Sequence, residues 1–211
     1  MDLDHLSFAA GPEGLEKTTQ RLSEQLGTEF HDGGFHPRFG TQNNILPLAG
    51  GRYVEVVAIL DHPAADKAPF GQAVRERSVK GGGWLGWVVA VDDLGPVEAR
   101  LGRSAIDGYR YLPDGTKLTW QQIGVKGLQS DPQLPFFIKW LSEPALRPSS
   151  GGGDVKLTRL EIAGDHALVD DWLGGLADAV LDNLEIDWLD PDGEPGLVAA
   201  TFETASGSVR I

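Results

Sequence analysis

One order of elements, strand–helix–strand–strand–strand, runs through this chain three times, and that repetition limits the fold more than any single motif. Leu3 to Ala9 alternates, with His5 and Ser7 on one face and Leu6 and Phe8 on the other. Gly11-Pro12 ends the strand. A helix is expected from about Glu13 to Leu26, with Leu15, Leu22 and Leu26 on one stripe and Gly27 as its C-cap. His31 to Gly40 reads as loop or a short strand, and Gln42 to Leu48 as a strand. Gly50-Gly51 turns the chain into Arg52 to Leu60, where Tyr53, Glu55 and Val57 share one face and Val54, Val56 and Ala58 the other. This first unit covers residues 1–60. A helical connector, Asp61 to Lys80, ends at Gly81-Gly82-Gly83.

The second unit, residues 84–146, repeats the order. Trp84 to Val91 is a strand and Pro96 to Leu101 a short helix. Tyr109 to Leu112 and Lys117 to Ile123 form a hairpin through Pro113-Asp114-Gly115, and Leu134 to Leu141 is a further strand. Arg147 to Gly153, RPSSGGG, has the composition of a linker. Beyond it, residues 154–211 give a third, partial unit. It has a strand from Leu157 to Ala163, then a helix from Asp165 to Leu176 with Leu168, Trp172 and Leu176 at spacing four. Three strands follow: Leu184 to Leu189, Leu197 to Thr204 and Ser208 to Ile211, the first two separated by the turn-rich PDGEPG. The fold class expected is α+β.

Composition removes several functions. Of 211 residues 41% are hydrophobic, enough for a real core. The net charge of −13 disfavours nucleic acid and anionic membranes, both of which need a basic surface. There is no cysteine, so disulfides, thiolate metal sites and Cys nucleophiles are excluded. No apolar run is long enough to span a bilayer, and the chain starts directly on a strand pattern, so a soluble cytoplasmic protein is expected. No G-x-S-x-G, P-loop or H-E-x-x-H occurs.

Chemistry concentrates where ionisable groups interrupt apolar strands. Burying such a group is costly unless a partner or ligand offsets it. His5 and Glu55 are the clearest cases, read either as ligands or acid–base residues, or as a structural pair that satisfies two buried groups. His36 could complete a two-His, one-carboxylate set, or cap a turn beside Pro37. Gly40-Thr41 makes a tight turn, after which Asn43 or Asn44 either bonds that turn or points into a cavity. Trp87, Trp120, Phe137 and Lys139 read as an aromatic wall with one cation, or as ordinary core aromatics with a snorkelling lysine. A Lys139 facing Glu55 would replace a metal by an ion pair.

The sequence LDHLSF, an amphipathic helix, then H-P-x-x-G-T-x-N-x-L and Y-V-E-V resembles the glyoxalase-like branch of the vicinal oxygen chelate superfamily. The residues concerned are His36, Pro37, Gly40, Thr41, Asn44 (Asn43 with a one-residue shift), Leu46 and Tyr53 to Val56. The resemblance implies paired βαβββ units forming an open cupped sheet around a small-molecule cavity. It also implies a divalent metal held by the first and last strands of each unit. Carried over, the first unit supplies His5 and Glu55 as metal ligands or catalytic residues. The second offers Trp87 and Lys139 at those positions, and the third offers Arg159 in place of the His. The family implies an enzyme of lyase, isomerase or dioxygenase type on a small organic molecule. The alternative is a metal-free binding or sequestration protein. A third reading is structural, with residues 154–211 serving as a homodimer surface. Thr41, Asn44, His36, Trp87, Trp120 and Lys139 are the expected ligand contacts.

Overall fold

The computed structural model describes residues 1–190 and 193–211, so Pro191 and Asp192 of the expected PDGEPG turn lie outside the described residues. In chain order the first elements are β1 (Asp2–Ala9), α1 (Leu15–Leu26), β2 (His31–His36), β3 (Thr41–Pro47), β4 (Tyr53–Ile59), α2 (Ala64–Lys67) and α3 (Pro69–Val79). Then come β5 (Gly83–Ala90), α4 (Gly95–Leu101), β6 (Ile106–Tyr111), β7 (Lys117–Ile123), α5 (Gly127–Ser130) and β8 (Phe136–Trp140). The last are β9 (Lys156–Ala163), α6 (His166–Leu173), α7 (Ala177–Val180), β10 (Glu185–Leu189), β11 (Gly196–Thr204) and β12 (Gly207–Arg210).

Eight strands close into a barrel in the order β1-β4-β3-β2-β6-β7-β8-β5. An open cup was expected, and two seams close it. β1 runs antiparallel to β5 along most of its length, whereas β2 meets β6 at the pair Phe35–Tyr111. Gly34 makes that second seam feasible: a Cβ there would fall on the Tyr111 carbonyl, and its φ of 91° suits glycine. The first strand of each half pairs in parallel with the last, β1 with β4 and β5 with β8.

The third set of elements follows the expected order but not the same pairing. Its sheet runs β10-β9-β11-β12, so β9 takes β10, the next strand, as its parallel partner rather than the last one. Alternation fixes which face a residue takes and leaves the choice of neighbour open. The expected helix from Asp165 to Leu176 also divides. Asp165 caps α6 by accepting from the Ala167 amide at 2.8 Å, and Gly174, at φ 75°, ends it. Val169 and Leu173 are its buried positions, while Leu168 and Leu176 are exposed.

Two apolar clusters result. On the outside of the barrel, Leu15, Leu22 and Leu26 of α1 cover Leu6, Phe8, Val54 and Val56. The same cluster continues through Trp84, Trp87 and Phe137 to Leu157, Leu160, Ile162 and Phe202 of the second sheet. Inside, α3 brings Phe70, Ala73 and Val74 against Val57, Leu85, Val88, Phe136 and Ile138. The connector between the two halves therefore fills part of the barrel and leaves the polar inner face of β1, β3, β4 and β6 as the floor of a cavity. No helix among the described residues is long and apolar enough to cross a membrane.

Candidate functional site

The cavity inside the barrel has about 40 Å³ open to the centres of water-sized molecules. One water needs roughly 10–15 Å³ of such space, so the cavity admits a few waters or a small polar group. His5, His36, Asn43, Tyr53, Glu55, Arg110 and Gln122 supply its polar lining. Phe39, Phe70, Trp120, Phe136, Ile138 and Trp140 supply its apolar walls.

His5 and Glu55 come together on adjacent parallel strands, because His5 pairs with Tyr53 and Ser7 with Glu55. Their side chains all take the inner face, while Leu6, Val54 and Val56 take the outer. Glu55 is fully engaged: Ser7 Oγ donates to Oε1 at 2.6 Å and Asn43 Nδ2 to Oε2 at 2.8 Å. His5 Nε2 stands 3.6 Å from Glu55 Oε1, an ion-pair distance too long for a hydrogen bond. His5 Nδ1 donates to Asp4 Oδ2 at 2.7 Å, and its ring stacks on Tyr53 with centroids 4.4 Å apart.

Asp4 reaches His5 through a β-bulge. In the ladder to β5, Leu3 faces Val89 and His5 faces Val88, so Asp4 is the extra residue on its strand. A bulge interrupts strict alternation and re-aims a side chain. Asp4 thus holds His5 with one oxygen and accepts from Trp140 Nε1 at 3.1 Å with the other.

The imidazoles are tuned in opposite directions. Burial opposes a charge on His5, but the Asp4 hydrogen bond and the attraction of Glu55 and Asp4 outweigh it and raise its pKa to about 9. Burial likewise opposes ionisation of Glu55, and His5 with Ser7 reverses this, lowering its pKa to about 2. His36, on β2, has Thr41 rather than a carboxylate at hydrogen-bond distance, and Glu55 attracts it only weakly. Burial and the Arg110 charge push it down to about 4, so it is neutral near pH 7. Burial also raises the Tyr53 hydroxyl well above its ordinary range.

Several expected residues stand elsewhere. Asn44 points out of the barrel and donates to Thr19 Oγ1 of α1 at 3.2 Å; Asn43, the alternative position, is the one in the cavity. Trp87 lies opposite Leu6 and shares its outward face, fully buried in the outer cluster with its Nε1 donating to the Gln133 carbonyl at 2.9 Å. Lys139 alternates with Ile138 and Trp140, which line the cavity while it does not, so it makes no ion pair with Glu55. Phe137 likewise faces outward, over Trp172 of α6. Arg159 lies on the second sheet, paired with Asp187 and Glu185. Thr41 sits behind the lining, its Oγ1 3.2 Å from His36 Nδ1. Trp120 does line the cavity, with its ring 5.9 Å from His36 and 5.7 Å from Trp140, centroid to centroid.

Arg110, Asp4 and Gln122 escaped the sequence reading, which placed Tyr53 on the face of Glu55 without giving it a role in the site. On β6 Arg110 alternates with Tyr109 and Tyr111, and it is only 3% exposed.

The residues present do not fit a divalent metal. His5 and Glu55 are the expected donors, yet both Glu55 oxygens already accept hydrogen bonds, from Ser7 and Asn43, and His5 Nδ1 is held by Asp4. Arg110 places a guanidinium in the same cavity, and the inward positions of β8 are Phe136, Ile138 and Trp140. Among the described residues no cluster of three or more His, Cys, Asp and Glu could hold a metal ion.

A hypothetical protein from Staphylococcus aureus has a similar structure, with a TM-score of 0.61 and 17% identity, over 100% of this chain and 85% of that one. Methylmalonyl-CoA epimerase from Mycobacterium tuberculosis matches at TM-score 0.41 and 14% identity, covering 66% of this chain and 86% of its own. A variant of the Streptomyces coelicolor methylmalonyl-CoA epimerase, in complex with 2-nitronate-propionyl-CoA, matches at 0.42 and 15%, covering 67% and 99%. No curated protein matches the chain. A sequence model described as a glyoxalase-like domain matches residues 3–177, from β1 to the start of α7. The chain therefore belongs to the glyoxalase-like domain family.

Proposed function

We propose that this protein moves a proton on a small organic molecule held in the barrel cavity, an isomerase-type reaction that needs no metal. The observation that carries the reading is the buried His5–Glu55 pair, a carboxylate and an imidazolium facing one aromatic-walled space. In the proposed step Glu55 takes a proton from a carbon next to a carbonyl. The C–H electron pair passes to the carbonyl oxygen as an enolate, which the His5 N–H stabilises, and return of a proton to the opposite face of the same carbon completes the isomerisation. The strand order supports reading residues 1–60 and 84–146 as two paired βαβββ units, with this pair belonging to the first.

Proton NMR in D₂O tests the reaction, with a panel of small 2-oxo acids and α-hydroxy ketones. The expected result is catalysed loss of the signal of the acidic C–H, at the same rate after chelator dialysis. Replacing Glu55→Gln should slow exchange by ~10²–10⁴-fold, the usual contribution of a general base. Exchange at the wild-type rate in that variant would defeat the proposal. A second reading, binding without catalysis, draws on the same carboxylate. Both Glu55 oxygens already accept hydrogen bonds and its pKa is held to about 2, which weakens it as a base. Ligand binding without any exchange would favour that reading.

A further inference from the structure

Arg110 is the most deeply buried cation of the site and the least satisfied. A guanidinium carries several N–H donors in a planar fork. Among the described residues Arg110 makes one side-chain hydrogen bond, from Nη1 to Asn43 Oδ1 at 3.2 Å. Its Nε is buried with no partner. No carboxylate lies within ion-pair distance of it among the described residues: Glu55 is engaged by Ser7, Asn43 and His5, and Asp32 binds the Gly34 amide at 2.7 Å. An uncompensated buried charge is costly, and a fold that keeps one has a partner for it.

The backbone is shaped around this group. Gly33 faces it, and a Cβ there would come within 3.0 Å of Arg110 Nη1 and 2.3 Å of Asn43 Oδ1. Asn43 is a bridge: its amide nitrogen serves Glu55 and its oxygen serves Arg110, so the guanidinium is held beside the His5–Glu55 pair without being neutralised by it. The apolar walls of the same cavity, among them Phe39, Trp120, Ile138 and Trp140, offer contact to an apolar body.

We infer that the molecule bound in this cavity is a small monocarboxylate whose carboxylate docks on the open donors of Arg110 and whose apolar end lies against the aromatic walls. The inference rests on the cavity being the ligand site and is independent of whether Glu55 moves a proton. A planar carboxylate matches the guanidinium fork and would give Arg110 a direct ion pair, where Glu55 and Asp32 attract it only from beyond that distance.

Thermal shift of the intact protein tests this, with acetate and propionate as probes and acetamide and propionamide as matched neutral controls at equal ionic strength. The carboxylates should raise the melting temperature with concentration and the amides should not. Arg110→Met should weaken the carboxylate response about 30-fold or more, as expected for loss of one side of a buried charge pair. Its ligand-free melting temperature should be no lower than that of the wild type, because an unpaired buried charge has been removed. Arg110→Lys keeps the charge without the fork and should also bind weakly. If the amides shift the melt as well as the carboxylates do, or if no carboxylate shifts it, the inference fails. A carboxylate response that survives Arg110→Met but is lost in the cavity-filling Ile138→Phe would overturn the role of Arg110 while leaving the cavity as the ligand site. A response that survives both would place the ligand elsewhere and remove the cavity reading too.

Discussion

His5 and His36 share one cavity and have opposite effects on stability as pH changes. In the unfolded chain both titrate near the ordinary value of about 6.5. His5, raised to about 9 by Asp4 and Glu55 against its burial, keeps its proton after the unfolded chain has lost it. Its stabilisation is complete below about pH 6.5 and lost as pH rises through 9. His36, lowered to about 4 by burial and Arg110, resists a proton that the unfolded chain accepts. Its stabilisation is present above about pH 6.5 and lost as pH falls toward 4. Glu55, held to about 2, adds a further loss only below its ordinary range. These groups together place the stability maximum near pH 6.5. Urea midpoints measured across this range should fall on both sides of it. His36→Gln should flatten the limb between about 6.5 and 4, and His5→Gln the limb between about 6.5 and 9. Midpoints that follow the wild-type curve in both variants would show that neither imidazole is coupled to folding.

Strand periodicity makes part of this site legible in the sequence. His5 on β1 and Glu55 on β4 lie inward because Leu6, Phe8, Val54 and Val56 form an apolar outer face that α1 covers. What periodicity could not show is where it breaks. Asp4 is out of phase with the inner face and joins the site only because β1 bulges against β5. The same shift moves the second half out of register, so that Val88 rather than Trp87 stands across from His5. Arg110 was hidden differently, since reading Tyr109 to Leu112 as a strand gives its face but not whether that face is closed off. The placement of Trp87 has a direct consequence. Trp87→Ala would empty a fully buried site packed in the outer cluster, at a cost of about 3–5 kcal/mol. The response to small carboxylates should be unchanged, since the cavity lies on the other side of the sheet. Chemical denaturation with and without the ligand separates these effects. A variant of wild-type stability that no longer binds would return Trp87 to the cavity wall.

At the scale of the whole molecule, the barrel and the second sheet share one outer core despite the linker-like RPSSGGG between them. Phe202 stacks on Trp84 with centroids 6.4 Å apart, and Trp172 on Phe137 at 6.2 Å. Trp84 Nε1 donates to the Ile211 carbonyl at 3.0 Å and Trp172 Nε1 to that of Pro135 at 2.8 Å. The linker is itself seated: a Cβ on Gly153 would fall 2.1 Å from the Pro47 carbonyl, and the Ala49 amide donates to Val155 at 2.8 Å. Composition suggested a boundary because glycine and serine permit flexibility. Glycine here also permits close approach, and sequence alone does not distinguish the two uses. Units that exchange tryptophans across their interface should not unfold separately. Calorimetry of the intact protein is therefore expected to show one transition, and Phe202→Ala should lower that transition as a whole by the equivalent of about 3–5 kcal/mol. Two resolved transitions, with the substitution moving only one of them, would mean that the second sheet is an independent domain and that the cavity of the barrel stands without it.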